Sequence, residues 1–189
     1  MKHIKFRITP GAYFAAAFLL YALPLPRLCA IGFAAAVHEA GHIIAMLTAG
    51  GGVKSLTVRL GGLELESRRA LVSYPRQIAI SLAGAAANIA VWAAARFTLG
   101  RLRAFMDACI VFAILNLLPI PSLDGGEALA EICAVLLPEG KGECAAKMIG
   151  YIFLFLLWIL AVYVLLYFPD NPSLFILCAC LFAGACRER

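Results

Sequence analysis

Residues 29–49 read CAIGFAAAVHEAGHIIAMLTA, an apolar stretch about as long as the roughly 20 residues that a helix needs to cross a bilayer. Its only histidine or acidic side chains are His38, Glu39 and His42. On a helix, residues four apart project from one face, so both imidazoles can hold one metal ion. Glu39, rotated by about 100° from His38, places its carboxylate beside that ion.

Ionisable groups inside an apolar span cost about 2.5 to 3.5 kcal/mol each on insertion scales and are usually functional. With only 3 His and 8 Glu in the chain, the expected number of chance H-E-x-x-H matches is about 0.002. The pattern therefore favours a zinc hydrolase in which Glu39 takes a proton from a metal-bound water. The alternative is that the three side chains are polar helix residues with partners elsewhere.

The composition predicts a membrane protein. The 189 residues are 63% hydrophobic and 14% charged, with a mean hydropathy of +0.92, unlike soluble domains of this size. The net charge of +5 does not indicate nucleic-acid binding, because the Lys and Arg residues lie between apolar blocks and form no basic face. The seven cysteines include no C-x-x-C pair and are expected to be small core residues.

The fold class expected is an all-α polytopic membrane protein of one domain, residues 1–189, with about six transmembrane helices. A basic start, residues 1–9, resembles the charged region of a signal peptide, but we expect it to lead into a retained first span. The Lys and Arg distribution predicts cytoplasmic N- and C-termini and a site open toward the cytoplasm. The predicted spans are about 11–25, 28–49, 76–99, 103–120 with a broken continuation at 124–137, 148–168 and 173–186.

The hydrophobic pattern of residues 53–66 differs from that of the apolar spans. Apolar and polar side chains alternate on both sides of Gly61 and Gly62, which predicts a short membrane-associated β-hairpin after the second span. An exposed edge of that hairpin could bind a substrate segment as an added strand. A plain interfacial loop is the alternative.

Two further polar positions lie in predicted spans. Asn88, in the middle of the third, needs a hydrogen-bond partner and has either a packing or a catalytic role. Residues 116–126 read NLLPIPSLDGG, and their prolines and glycines break the fourth span where backbone must be buried or line a wet cavity. Asp124, in that break, is either the third ligand of an open zinc site or a helix cap.

Together, the HEAGH and NLLPIPSLDGG motifs resemble the site-2 protease family of intramembrane zinc metalloproteases, in the bacterial branch that contains stage IV sporulation protein FB. The resemblance implies that His38, His42 and Asp124 bind one zinc ion and that Glu39 activates the water. It also implies a substrate-binding set comprising Asn88, Asn116, Pro119, Pro121, Gly61 and Gly62. The CBS domain of the sporulation enzyme and the PDZ domain of other branches are not expected here.

The expected function is thus an intramembrane endopeptidase that cuts a transmembrane or membrane-associated segment of a substrate protein, such as a pro-sigma or anti-sigma factor, in the bacterial cytoplasmic membrane. Its expected partners are that substrate and the lipid bilayer, with a regulatory membrane protein or a second copy of the chain compatible with the sequence. Two alternatives are a polytopic transporter, since broken helices also mark ion pathways, and a non-catalytic relative that binds membrane clients.

Overall fold

The structure, a computed structural model, describes residues 5–8, 17, 20, 23–50, 53–59, 62–67, 73–96, 103–138, 140–169 and 172–187. These residues are mostly helical, and the chain divides into two compact units, residues 1–116 and 117–189. The predicted first span, 11–25, falls almost entirely outside the described residues.

The first unit contains a three-stranded sheet in the order β1 (Lys5–Ile8), β2 (Val53–Arg59), β3 (Gly62–Ser67). The central strand β2 pairs in parallel with β1 and antiparallel with β3. The alternating stretch 53–66 therefore forms two antiparallel strands. The parallel strand β1 was not predicted. Its KFRI sequence alternates as a strand does, but it is also typical of a basic segment that precedes a membrane span.

Three helices complete the first unit: α1 (Leu25–Thr48), α2 (Tyr74–Arg96) and α3 (Arg103–Asn116). Each of the three packs against the other two, and small side chains at the contacts let the backbones approach closely. The helix α3 ends four residues before the predicted boundary at 120, since Pro119 disfavours helical backbone in the residue before it. Buried apolar residues of these helices include Ala30, Ala34, Met46, Ile80, Ala85, Cys109 and Ala113.

The second unit contains α4 (Asp124–Leu136), α5 (Lys141–Tyr167) and α6 (Ser173–Arg187), with α5 packed against both others. The helix α5 begins at Lys141, seven residues before the predicted start of the fifth span at 148. Its polar first turns are stabilised locally by a Glu143–Lys147 ion pair of 2.7 Å at i,i+4 spacing. The core of this unit consists of Ile120, Leu154, Leu181 and Ala185.

Three helices among the described residues are long and apolar enough to cross a membrane: Leu25–Thr48, Tyr74–Ala95 and Lys141–Tyr167. Two further apolar helices, Phe105–Asn116 and Ser173–Ala185, are shorter. The helix α5 also exposes large apolar side chains, among them Met148, Phe155, Ile159 and Leu166, as a lipid-facing surface would. The structure is therefore compatible with a membrane protein, but it shows three helices of spanning length where the sequence predicted six spans.

Candidate metal centre

His38 and His42 lie one turn apart on α1 and face each other. Both side chains are buried, with 3% and 7% of their surface exposed. Their Nε2 atoms are 3.1 Å apart and their ring planes are inclined by 80°. Two nitrogens bound to a tetrahedral zinc ion at about 2.0 to 2.1 Å would lie about 3.3 Å apart. The observed separation therefore fits a pair of ligands to one ion.

The ring of His42 is oriented by the backbone of α2. Its Nδ1 donates a hydrogen bond to the carbonyl oxygen of Ile80 across 2.8 Å. A carbonyl oxygen can only accept, so the neutral imidazole carries its proton on Nδ1 and offers the Nε2 lone pair to a metal. The ring of His38 is held differently, packing edge to face against Phe112 of α3 at a centroid distance of 5.1 Å.

Gly84 of α2 provides the space that both imidazoles occupy. A methyl group at position 84 would lie 2.7 Å from Cε1 and 2.8 Å from Nδ1 of His38, and would collide with Nε2 of His42. Gly41 of α1 has an equivalent role in helix packing, because a methyl group there would lie 2.6 Å from the carbonyl oxygen of Ala83. The small residues at this helix contact are therefore part of the site.

Asp124 is the first residue of α4 and is partly buried. The N-cap is Leu123, so Asp124 does not occupy the capping position that was its alternative role. Two imidazoles and one carboxylate form a donor set that suits an open zinc site and also non-haem iron. His38 and His42 could therefore hold a metal ion, and Asp124 stays the predicted third ligand.

Glu39 follows His38 on α1 and is partly buried. Helical geometry rotates its side chain by about 100° from that of His38, so the carboxylate projects from the flank of the face that carries the imidazoles. Its role as the proton acceptor stays a prediction.

The residues predicted to bind substrate lie in several elements. Asn116 ends α3 and donates from Nδ2 to the carbonyl oxygen of Phe112 across 2.9 Å. Pro119 and Pro121 lie in the segment between α3 and α4, partly buried against Gly150 of α5. Their substrate-binding role stays a prediction.

Of the remaining three predicted residues, Asn88 and Gly62 lie in the first unit. Asn88 is completely buried in α2. Gly62 begins β3, where it pairs with Arg59. Gly61 lies outside the described residues, so the tip of the predicted hairpin is not part of the description.

The partner of His42, the backbone of Ile80, was not predicted. A carbonyl group exists at every position, so no side-chain pattern marks the one that orients an imidazole. The small-residue run 83–87 was a signal for close helix packing, and it is this packing that brings Ile80 to His42. Searches of protein-family models and of curated proteins found no match to the chain.

Proposed function

We propose that the chain is an intramembrane zinc endopeptidase that hydrolyses a peptide bond in a membrane-embedded or membrane-associated segment of another protein. The observation that carries the proposal is the pair of His38 and His42, whose Nε2 atoms face each other across 3.1 Å, and Asp124 is the proposed third ligand. The two histidines are buried in a helix long and apolar enough to cross a membrane.

The energetic cost of the site supports a functional role. Three ionisable or histidine side chains in five consecutive positions of α1 destabilise a membrane-inserted helix unless they have a compensating use. A hydrolytic zinc site requires two imidazoles, a carboxylate and a position left for water.

In the proposed reaction, a bound zinc ion would supply Lewis acidity and lower the pKa of a water molecule. His38, His42 and Asp124 would hold the ion, with His42 oriented through Ile80. Glu39 would accept the proton from the water and later deliver it to the leaving amine. The substrate segment would have to unwind, since helical hydrogen bonds shield its carbonyl groups, and the edge of β3 beginning at Gly62 could offer replacement hydrogen bonds.

A topology of six spans, with both termini in the cytoplasm of a bacterial cell, forms part of the proposal. Its support is the positive charge of the segments between apolar blocks, together with the two shorter apolar helices, Phe105–Asn116 and Ser173–Ala185. In this arrangement the metal site would open toward the cytoplasm, from which water would enter.

The test compares cells that produce the wild-type chain with cells that produce Glu39→Gln at equal levels. We expect both purified proteins to contain zinc by elemental analysis, because Glu39 is not assigned as a ligand. Only the wild-type cells should release fragments of membrane proteins into the soluble proteome. Identical fragments from both strains would refute the proteolytic mechanism, and a wild-type protein without bound metal would refute the metal site.

A further inference from the structure

Asn88 is a buried polar side chain without a visible role. None of its surface is exposed, and within the part of the chain that the structure describes, neither the amide nitrogen nor the oxygen of its side chain has a hydrogen-bond partner. An unsatisfied buried polar group destabilises a protein by about 1 to 3 kcal/mol. A buried polar group inside a helix of membrane-spanning length is therefore expected to have a hydrogen-bond partner in the functional protein.

The position of Asn88 on α2 points to that partner. Ile80, Gly84 and Asn88 follow one another at intervals of four residues and therefore share one face of the helix. Ile80 bonds to His42, and Gly84 lies against both imidazoles, with the Nδ1 edge of His38 only 2.8 Å from a methyl group built at position 84. This face of α2 is the surface that supports the two histidines.

The direction of helical side chains brings Asn88 to the same place. A side chain on a helix leans toward the N-terminal end and covers the preceding turn. For Asn88 the preceding turn is the one at Gly84, which has no side chain of its own and is covered by the histidine rings. The carboxamide of Asn88 is therefore expected beside the Nδ1 edge of His38.

Metal-binding histidines almost always donate their second ring N–H to a carboxylate, carbonyl or water, and this bond fixes the ring and its tautomer. The Ile80 carbonyl does so for His42. We propose that Asn88 is the equivalent positioning residue for His38, its side-chain oxygen accepting the Nδ1–H when a metal is bound. The proposal rests on the metal site of the proposed function and adds to it the second orienting contact.

Zinc affinity measures this role directly. The full-length protein, purified in detergent and stripped of metal, would be titrated with Zn²⁺ against a chromogenic chelator. Asn88→Leu removes the acceptor at nearly constant shape and is expected to weaken zinc binding about 10- to 100-fold. Asn88→Asp keeps an acceptor oxygen and is expected to bind zinc at least as tightly as the wild type. Ser81→Ala, which removes another fully buried polar group of α2, should leave the affinity unchanged.

The stability of the metal-free proteins separates positioning from packing. Because Asn88 has no partner among the described residues, metal-free Asn88→Leu should resist thermal unfolding at least as well as the wild type. Unchanged zinc affinity in Asn88→Leu, equal losses in the Leu and Asp variants, or a less stable metal-free Leu variant would each overturn the role of Asn88 alone. A wild-type protein that binds no zinc would overturn the proposed function as well.

Discussion

The Nδ1 atom of His42 donates a hydrogen bond to the backbone carbonyl oxygen of Ile80 across 2.8 Å. The bond joins α1 to α2 and directs the Nε2 atom of His42 toward that of His38. An orienting partner made of backbone holds a ring more rigidly than a mobile side chain would, because a helical carbonyl has no rotamers of its own. The candidate ligand pair is thus arranged by the packing of two helices.

Replacing His42 with alanine should abolish stoichiometric zinc binding. The variant loses one of three proposed ligands and leaves the Ile80 carbonyl without its side-chain donor, which costs about 1 kcal/mol of folding stability. Elemental analysis of the purified protein measures the zinc content. His3→Ala is the matched control, since His3 is the third histidine of the sequence and is not a proposed ligand. Equal zinc in the two variants would contradict the assignment of His42 as a ligand.

Gly84→Ala should reduce zinc binding although it changes no ligand. The added methyl group would lie 2.7 Å from Cε1 of His38 and would collide with Nε2 of His42, so the rings or the helices must move apart. Overpacking of this kind costs about 1 to 3 kcal/mol. Zinc titration and thermal unfolding would show both effects.

Gly32→Ala provides the control for Gly84→Ala. Gly32 lies within α1, the helix that packs against α2. A methyl group at position 32 would meet nothing within 4 Å. Alanine in place of glycine favours a helix by up to about 1 kcal/mol, so this variant should bind zinc normally and be no less stable than the wild type. If the two alanine variants bind zinc equally well, Gly84 does not shape the site.

Asp124→Asn should weaken zinc binding by removing the carboxylate ligand. Asp124 also lies in the first turn of α4 together with Glu127, and negative charges there stabilise the helix by about 0.3 to 1 kcal/mol. Glu127→Gln removes a charge from the same turn and is the matched control. Both variants should lose similar stability in thermal unfolding, but only Asp124→Asn should lose zinc affinity. If Asp124→Asn and Glu127→Gln bind zinc equally well, Asp124 stabilises the helix and is not a metal ligand.

The local parts of the site could be predicted from the sequence. The spacing of His38 and His42 determines which face of a helix they share, and this depends only on helical geometry. Prolines and glycines likewise marked the break that ends with Asp124 at the start of α4. Side chains of a strand alternate between its two faces, so the alternation of apolar and polar residues at 53–66 could be recognised locally. It corresponds to the two strands β2 and β3.

The non-local parts could not be predicted. The parallel pairing of β1 with β2 joins Lys5 to Ser55, and no local period specifies which distant strand is the partner. The hydrogen bond between His42 and Ile80 depends on how α1 and α2 pack. The run of small residues indicated that the two helices pack closely, but it did not indicate which residues of each helix face one another. The early start of α5 was missed because its first turns are polar, although Glu143 and Lys147 are good helix formers at a favourable spacing.

Gly150→Ala should destabilise the second unit more than Gly184→Ala. A methyl group at position 150 would lie 2.5 Å from Cδ of Pro121 and 3.0 Å from the carbonyl oxygen of Pro119, both held in rigid backbone. At position 184 the nearest atom is the hydroxyl oxygen of Ser122, at 3.1 Å, and a rotation of that side chain relieves the contact. We expect a loss of about 1 to 3 kcal/mol for Gly150→Ala and a much smaller one for Gly184→Ala. Thermal unfolding in detergent would rank the two variants, and equal stabilities would show that the proline segment yields as easily as a serine side chain.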